Sequence, residues 1–326
     1  MDYFNKKTWD ILLSPEIAST FGGSAAKQNL GEMKNRGWEA TINYKVRTGS
    51  FNHNFNLNIA DSQNEVTSFT KERVDGSDQL YTIIRVGEAF KSYYGFKTDG
   101  FFQSYDEIAE SLLPIGATAH PGDVKYVDSN NDGVIDDKDR VILGNGFPRY
   151  TYGFTYNLAY KGFDFNMLIQ GVGKRDMYVR GELIEPFHSN YSYAIYQHQL
   201  DFWTPTNPDA KWPRLVAPGS PSSINNWGKK GTDVYLLDAS YLRLKNIQIG
   251  YTLPKELSSK AGVQKLRLNL NAQNLLTLTK NTFIDPESSE FNNNMGGVGG
   301  VGANSARNYP TLIYYGFGID NAVKRP

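Results

Sequence analysis

The chain has 326 residues, with 34 basic and 34 acidic side chains, so its formal net charge is zero at neutral pH. This balance argues against a nucleic-acid-binding protein, which normally carries a basic excess, and the lack of cysteine excludes a disulfide scaffold and cysteine-ligated zinc. A mean hydropathy of −0.49 and the lack of long apolar runs exclude a helical membrane protein, but they are compatible with a barrel whose strands are half apolar.

Strand signals recur along the whole chain and predict an all-β protein of roughly eight to ten strands. They cover residues 37–47, 51–60, 80–86, 92–103, 150–160, 162–171, 233–252, 264–278 and 310–320. The residues 123–127, which precede an acidic loop, also have an extended pattern. Tight turns at 47–50 and 161–162 join some of these strands, whereas the connections 61–79, 104–149, 172–232 and 279–309 are long. Short turns on one side and long loops on the other are typical of outer-membrane barrels.

Two of these strands alternate strictly between apolar and polar side chains. The first places Phe51, His53, Phe55, Leu57 and Ile59 on one face and four asparagines, Asn52 to Asn58, on the other. From Tyr150 to Tyr160, every second residue is aromatic or leucine, and the residues between them are small or polar. The rows 266, 268 and 270 and, in the last strand, 311 to 319 are also predicted to face outward. Such two-faced strands suit a sheet between lipid and water, which indicates the outer membrane of a Gram-negative cell.

Several shorter features accompany the strands. Ser104 with Glu107 resembles a capping box that opens a helix toward Leu113, and further helices are predicted at 193–203 and 254–261. The glycine-rich segment 292–304 is predicted to be a mobile loop. The first ten residues lack the basic region and apolar core of a signal peptide, so we expect Met1 to be an internal point of a longer protein.

The segment 128–139 has the spacing of a calcium-binding loop, with oxygen-bearing side chains at positions 1, 3, 5, 9 and 12 and Gly133 at position 6. No good helix precedes it, so we expect a structural Ca²⁺ ion rather than an EF-hand sensor. The alternative is an acidic turn without metal. The predicted ligands are Asp128, Asn130, Asp132, the carbonyl of Val134, Asp136 and Asp139.

Three tryptophans in one long loop, Trp203, Trp212 and Trp227, are candidate substrate contacts, because exposed indoles can stack on sugar rings. The alternative, which we favour, is that they pin this loop to the mouth of the barrel. Arg243 and Lys245 are predicted to line the wet wall. No HExxH, GxSxG or P-loop motif is present, so no catalytic residue is predicted and we do not expect an enzyme.

Several stretches, in the right order and over nearly the whole chain, resemble the SusC/RagA-type TonB-dependent transporters. They are Asn29–Glu39, Gly122–Asn145, Phe202–Pro208 with Trp212–Leu215, Asp238–Asn246 with Gly250–Pro254, Gln273–Leu275 and Asp285–Glu287. The resemblance implies an outer-membrane barrel of about 22 strands around a plug domain, of which residues 1–326 would be the C-terminal strands, without plug or signal peptide.

The resemblance also implies a function and partners. Transporters of this type import oligosaccharides or peptides with energy from the TonB complex, which would act through the missing N-terminal part. A SusD-like surface lipoprotein covers their mouth, and membrane lipid surrounds them. One departure is the tail that follows Ile319, Asp320–Pro326, because family members usually end on an aromatic residue.

The sequence therefore predicts an antiparallel transmembrane β-barrel portion with long extracellular loops. The alternative from another class is a secreted, calcium-stabilised β-sandwich that binds carbohydrate.

Overall fold

The computed structural model describes residues 1–13, 26–75, 80–188, 194–227, 231–260, 262–288, 303–304 and 311–322. Eight long strands form one antiparallel sheet, called the wall below, and each pairs with the next long strand along the chain. In spatial order the wall consists of β1 (Asp2–Leu13), β2 (Gln28–Thr48), β3 (Phe51–Phe69), β10 (Arg149–Tyr160), β11 (Phe163–Lys174), β14 (Tyr241–Thr252), β15 (Lys265–Thr279) and β17 (Tyr314–Ala322). Within the described residues the outer edges of β1 and β17 carry no further strand, so the sheet is open.

The predicted strands that alternate are confirmed, and their ends are corrected. The strand β3 continues to Phe69, where a loop was predicted from residue 61, and it pairs with β2 over nearly its whole length. The strand β1 was not predicted, because Asp2–Leu13 has no sustained alternation; pairing with residues 28–39 of β2 specifies it instead.

The segments predicted as long loops contain small sheets and short helices. Four strands pair in the order β4 (Arg73–Asp75), β5 (Tyr81–Ile84), β6 (Ser92–Gly95) and β9 (Val141–Gly144), and two pair as β7 (Thr98–Phe101) and β8 (Val124–Tyr126). A third small sheet joins β12 (Asp176–Val179), β13 (Leu236–Asp238) and β16 (Ala303–Asn304). The helices are α1 (Tyr105–Glu110), α2 (Pro221–Asn226) and α3 (Lys255–Lys260), with 3₁₀ turns at Asp137–Asp139, Gly181–Leu183, Gln197–Leu200 and Asp233–Tyr235.

The predicted helices have mixed outcomes. Ser104 caps α1 by accepting a hydrogen bond from the Glu107 main chain, as the capping pattern predicted, and α3 lies inside the predicted range 254–261. The prediction of a helix over 193–203 is wrong, because only the 3₁₀ turn Gln197–Leu200 forms among the described residues there. The glycine-rich segment lies outside the described residues except for 303–304. In the part of the chain that the structure describes, no helix is long and apolar enough to cross a membrane.

The hydrophobic core lies among the long connections, not on the wall. It is built from buried aromatic and aliphatic side chains such as Leu80, Tyr93, Tyr178, Trp212 and Tyr235. Apolar side chains on one face of the wall are instead exposed, and two of them, Leu270 and Phe317, are 60% and 63% exposed. A soluble β-sandwich would bury such a face against a second sheet, so this arrangement does not favour the sandwich alternative.

Candidate functional site

Strand register divides the wall into an apolar outward face and a polar inward face. Directly paired residues of antiparallel strands share a face, so the pairing defines outward rows that run across the strands. One row joins Tyr160, Phe51, Phe163, Tyr251, Leu268 and Ile319, and the next joins Leu158, His53, Phe165, Ile249, Leu270 and Phe317. A third row, further from Tyr160 along β10, joins Phe154, Leu57, Ile42, Ile169, Leu244 and Leu276. These rows contain no Asp, Glu, Lys or Arg, which confirms the outward faces predicted for β3, β10 and β15.

Aromatic pairs mark the end of the wall that carries the tight turns, called the turn end below. Phe51 stacks on Tyr160 with ring centroids 4.1 Å apart, and Phe163 packs against Tyr251 at 4.3 Å. His53, the imidazole of the outward rows, has its Nδ1 2.9 Å from the Tyr156 hydroxyl, so both polar groups are satisfied on this apolar face. An aromatic girdle of this kind is typical of strands that end at a membrane interface.

The inward face is dominated by carboxamides. Asn246 donates to Asn166 at 2.9 Å, and Asn166 donates to Asn157 at 2.6 Å, so one amide chain crosses three strands. Near the turn end, Arg267 bridges two carboxylates, at 2.6 Å to Asp164 and 2.9 Å to Asp320. A hollow of about 620 Å³ opens on this part of the wall. The inward face is therefore polar and suited to contact with water, as the sequence predicted.

Arg243 and Lys245 do more than line this wet face. With Arg175 they form what we call the basic clasp, which holds the segment 285–288 against the end of the wall opposite the turns, called the loop end. Arg243 contacts Glu287 and lies 2.6 Å from Asp285, and Lys245 lies 2.6 Å from Glu287. Arg175 donates to the carbonyl of Pro286 at 2.7 Å. The Arg243 side chain is only 3% exposed and its partners are partly buried, so the clasp is an ion-pair network around a buried guanidinium, which sequence spacing could not reveal.

The predicted calcium ligands lie in one compact loop between β8 and β9. Asp128 accepts hydrogen bonds from the main-chain N–H groups of Asn131 (2.7 Å) and Gly133 (2.8 Å), and Asn130 accepts from Asp132 (2.8 Å). Asp139 is fully buried and accepts from Ser129 (2.9 Å) and from Asp136 (2.8 Å). The main-chain donors depress the pKa of the Asp128 carboxyl, which keeps it ionised.

The donor set of this loop, carboxylates with a side-chain amide and a carbonyl, has the chemistry that Ca²⁺ prefers. Asp132 accepts from the N–H of Val134 at 3.0 Å, and Asp136 accepts from Lys138 at 2.7 Å. Among the described residues, however, no group of three or more His, Asp and Glu side chains is close enough to hold a metal ion. Calcium binding stays a prediction.

Both ends of this acidic loop are anchored in the loop-end core. Before it, the buried Asp123 accepts from Ser222 at 2.6 Å and from Asn226 at 3.0 Å, which ties β8 to α2. After it, the Arg140 guanidinium lies between the rings of Tyr81 and Phe96, at 3.9 and 4.4 Å. The loop is thus a rigid insertion whose position is set by these contacts rather than by flanking helices.

The three candidate tryptophans are buried and structural in their described contacts. Trp203, Trp212 and Trp227 are 7%, 4% and 5% exposed. The indole of Trp203 donates to Gln103 at 2.9 Å, and that of Trp212 donates to the carbonyl of His198 at 2.8 Å. These contacts match the structural alternative, and sugar stacking on these rings stays a prediction.

Comparison with known proteins identifies the family. The chain is 32% identical over 310 residues to TonB-dependent receptor P26 of Formosa agariphila, a match that covers 92% of this chain and 30% of that protein. It is 26% identical over 307 residues to TonB-dependent receptor SusC of Bacteroides thetaiotaomicron, covering 88% of this chain and 27% of that protein. The chain belongs to the SusC/RagA-type TonB-dependent receptors. It spans about 30% of the length of the relatives it matches.

The fold supports the same assignment. The structure of the RagAB peptide importer in its open-open state aligns with a TM-score of 0.72 at 20% identity, covering 98% of this chain and 32% of that chain. The wall is therefore a portion of a TonB-dependent receptor barrel. No protein-family model matches the chain. The proteins it resembles are named receptors and transporters rather than enzymes.

Proposed function

We propose that this chain forms the C-terminal part of the barrel wall of an outer-membrane importer in a Gram-negative bacterium. The observation that carries the proposal is the set of charge-free outward rows. From Tyr150 to Tyr160, ten residue-to-residue steps of ~3.4 Å and a tilt of about 40° give a height of roughly 26 Å. This height equals the apolar band of outer-membrane barrels, which is about 25 Å tall.

The proposed activity is uptake of an oligosaccharide or peptide through the barrel of the complete receptor. The amide-rich inward face supports passage of polar cargo, because asparagine side chains both donate and accept hydrogen bonds and carry no charge. RagAB, which shares this fold, is described as a peptide transporter. The open edges of β1 and β17 are consistent with a barrel that further strands would close.

The proposed partners follow from the same assignment. The TonB complex would act on the part of the receptor that lies beyond this chain, and a SusD-like lipoprotein would cover the loop end. The buried core of the long connections supports this second contact, because it gives the mouth a preformed surface rather than a set of loose loops.

We also propose that the acidic loop binds a structural Ca²⁺ ion through the six predicted ligands. Its anchors at Asp123 and Arg140 support a structural role, since an ion there would stabilise the connection between β8 and β9. Calcium titration of the purified receptor, followed by melting temperature, tests this. Asp132→Ala should abolish a calcium-dependent rise, whereas Asp106→Ala, an exposed acidic residue of α1, should not.

Membrane insertion tests the main proposal. The complete receptor, expressed in a Gram-negative host, should fractionate with the outer membrane and run as a heat-modifiable, detergent-resistant species. A soluble receptor, or one found in another compartment, would contradict the proposal whatever its substrate.

A further inference from the structure

A polar cavity of about 270 Å³ lies where the loop end of the wall meets the four-stranded sheet. It is called the mouth pocket below. Seven side chains that carry charges or amides line it: Gln63, Asn64, Glu88, Asn145, Arg149, Lys174 and Asp176. The pocket combines opposite charges in one small space, which neither the membrane face nor the calcium proposal explains.

Main-chain hydrogen bonds hold the two residues that supply the carboxylates of the pocket, Glu88 and Asp176. Glu88 accepts a main-chain hydrogen bond from Val66 of β3 at 2.8 Å, which fixes its turn against the wall. Asp176 and Asn145 exchange hydrogen bonds: the N–H of Asn145 donates to the carboxylate at 2.8 Å, and the N–H of Asp176 donates to the Asn145 carbonyl at 3.2 Å. Neither carboxylate has an ion pair among the described contacts. Burial raises the pKa of the Asp176 carboxyl, and the nearby charge of Lys174 offsets only part of this effect.

The cations lie on the wall. Arg149 of β10 and Lys174 of β11 are register partners, and like charges directly opposite each other are destabilising. Asp61 compensates Arg149, with its carboxylate 2.7 Å from the guanidinium. Lys174 is exposed and has no ion pair in the described part of the chain. The pocket therefore presents one exposed cation, whose charge also acts on Asp176, and two carboxylates that have no direct ion pair among the described contacts.

We propose that the mouth pocket binds a short peptide through both of its charged ends, its α-carboxylate on Lys174 and its α-ammonium on Asp176 and Glu88. A neutral ligand would remove water from these three charges without replacing it, which is unfavourable. A ligand with both charges satisfies the two signs at once. The volume lies just below the range of about 300–1,000 Å³ for drug-sized ligands, which suits a dipeptide. This inference rests on the proposed import function and names its substrate class.

Capped peptides test the inference. The complete receptor, purified in detergent, is titrated calorimetrically with dialanine, N-acetyl-dialanine, dialanine amide and the neutral disaccharide maltose. We expect dialanine to bind, and each cap to weaken binding at least tenfold, which corresponds to about 1.4 kcal/mol. Equal affinity for free and capped peptides, preference for maltose, or no binding of dialanine would each overturn the inference.

Charge-removing variants then locate the site. In Lys174→Gln, dialanine and its amide should bind equally, because the partner of the carboxylate is gone. In the double variant Glu88→Gln/Asp176→Asn, dialanine and its acetylated form should bind equally. Lys71→Gln, an exposed lysine outside the pocket, should keep the full discrimination.

The proposed function and the peptide site can be refuted separately. If the wild-type receptor does not insert into the outer membrane, the proposed function fails. If it inserts and binds dialanine, but the pocket variants still discriminate against capped peptides, only the mouth pocket is refuted. Heat modifiability of each variant shows that it has folded, and Lys174→Arg, which keeps the charge, should restore the discrimination.

Discussion

The substitution Phe154→Arg tests the outward face at its centre. Phe154 lies six residues from Tyr160 at the turn end, which gives about 20 Å along the strand and about 15 Å along the membrane normal. This is close to the middle of an apolar band about 25 Å tall. Its neighbours across the sheet are Leu57 and Ile169, so an arginine here finds no polar partner in its row.

We expect this substitution to reduce the free energy of folding into lipid by about 2–4 kcal/mol. The assay is urea-dependent folding of the complete receptor into vesicles, followed by heat modifiability. Thr155→Arg, one residue further on, is the matched control, because Thr155 pairs with Asn56 on the inward face and should tolerate a cation.

A depth series sharpens this test. Tyr160→Arg, at the turn end, should cost only about 0–1 kcal/mol, because the side chain reaches the interface. The assignment of the lipid face would be refuted if Phe154→Arg folded as well as Thr155→Arg, or if the cost did not fall toward Tyr160.

Three further predictions concern the loop end and the edges. Arg243→Ala should destabilise the receptor by about 3 kcal/mol, because it leaves the partly buried Asp285 without its cation and removes one of the two partners of Glu287. Lys280→Ala, whose pair with Asp238 is exposed, should cost less than about 1 kcal/mol. Similar changes in urea midpoint for the two variants would contradict the basic clasp. Burial lowers the pKa of His198, whose ring stacks on that of Phe283 with centroids 4.0 Å apart. The unfolded state therefore takes up a proton at a higher pH than the folded state does. The free energy of unfolding should hold above about pH 6.5 and fall as the pH drops below that value. His198→Gln should flatten that part of the melting-temperature profile, and an unchanged slope would assign it to other groups. Residues 1–326 expressed alone should aggregate without detergent, because both sheet edges and the outward rows are open; a soluble, cooperatively unfolding monomer in sedimentation and melting experiments would contradict this.

The sequence predicted the parts of the fold that depend on local alternation. Strand pleating alone assigns Phe55 and Asn56 to opposite faces, so the two-faced wall could be read without any knowledge of pairing. The strand β1 and the second half of β3 could not, because polar residues occupy both of their faces and cross-strand pairing specifies them.

The loop end was much less predictable, because its contacts join distant parts of the chain. Arg243 meets Glu287 across 44 residues, and Trp203 meets Gln103 across 100. The tryptophans were predicted either to stack on substrate or to pin the loop, and only tertiary packing shows that they are buried. The spacing of the acidic loop could be recognised in the sequence. The contacts of Asp123 and Arg140 that anchor the loop could not be predicted from the sequence.

The most direct test of the central claim is lipid accessibility along β10. The chain has no cysteine, so single cysteines at successive positions from 150 to 160 can carry a spin label in the complete receptor reconstituted in vesicles. We expect collisions with oxygen, which partitions into lipid, to peak at the even positions, and a water-soluble nickel reagent to reach the odd positions. Equal accessibility at even and odd positions, or oxygen peaks at the odd ones, would contradict the two-faced membrane wall.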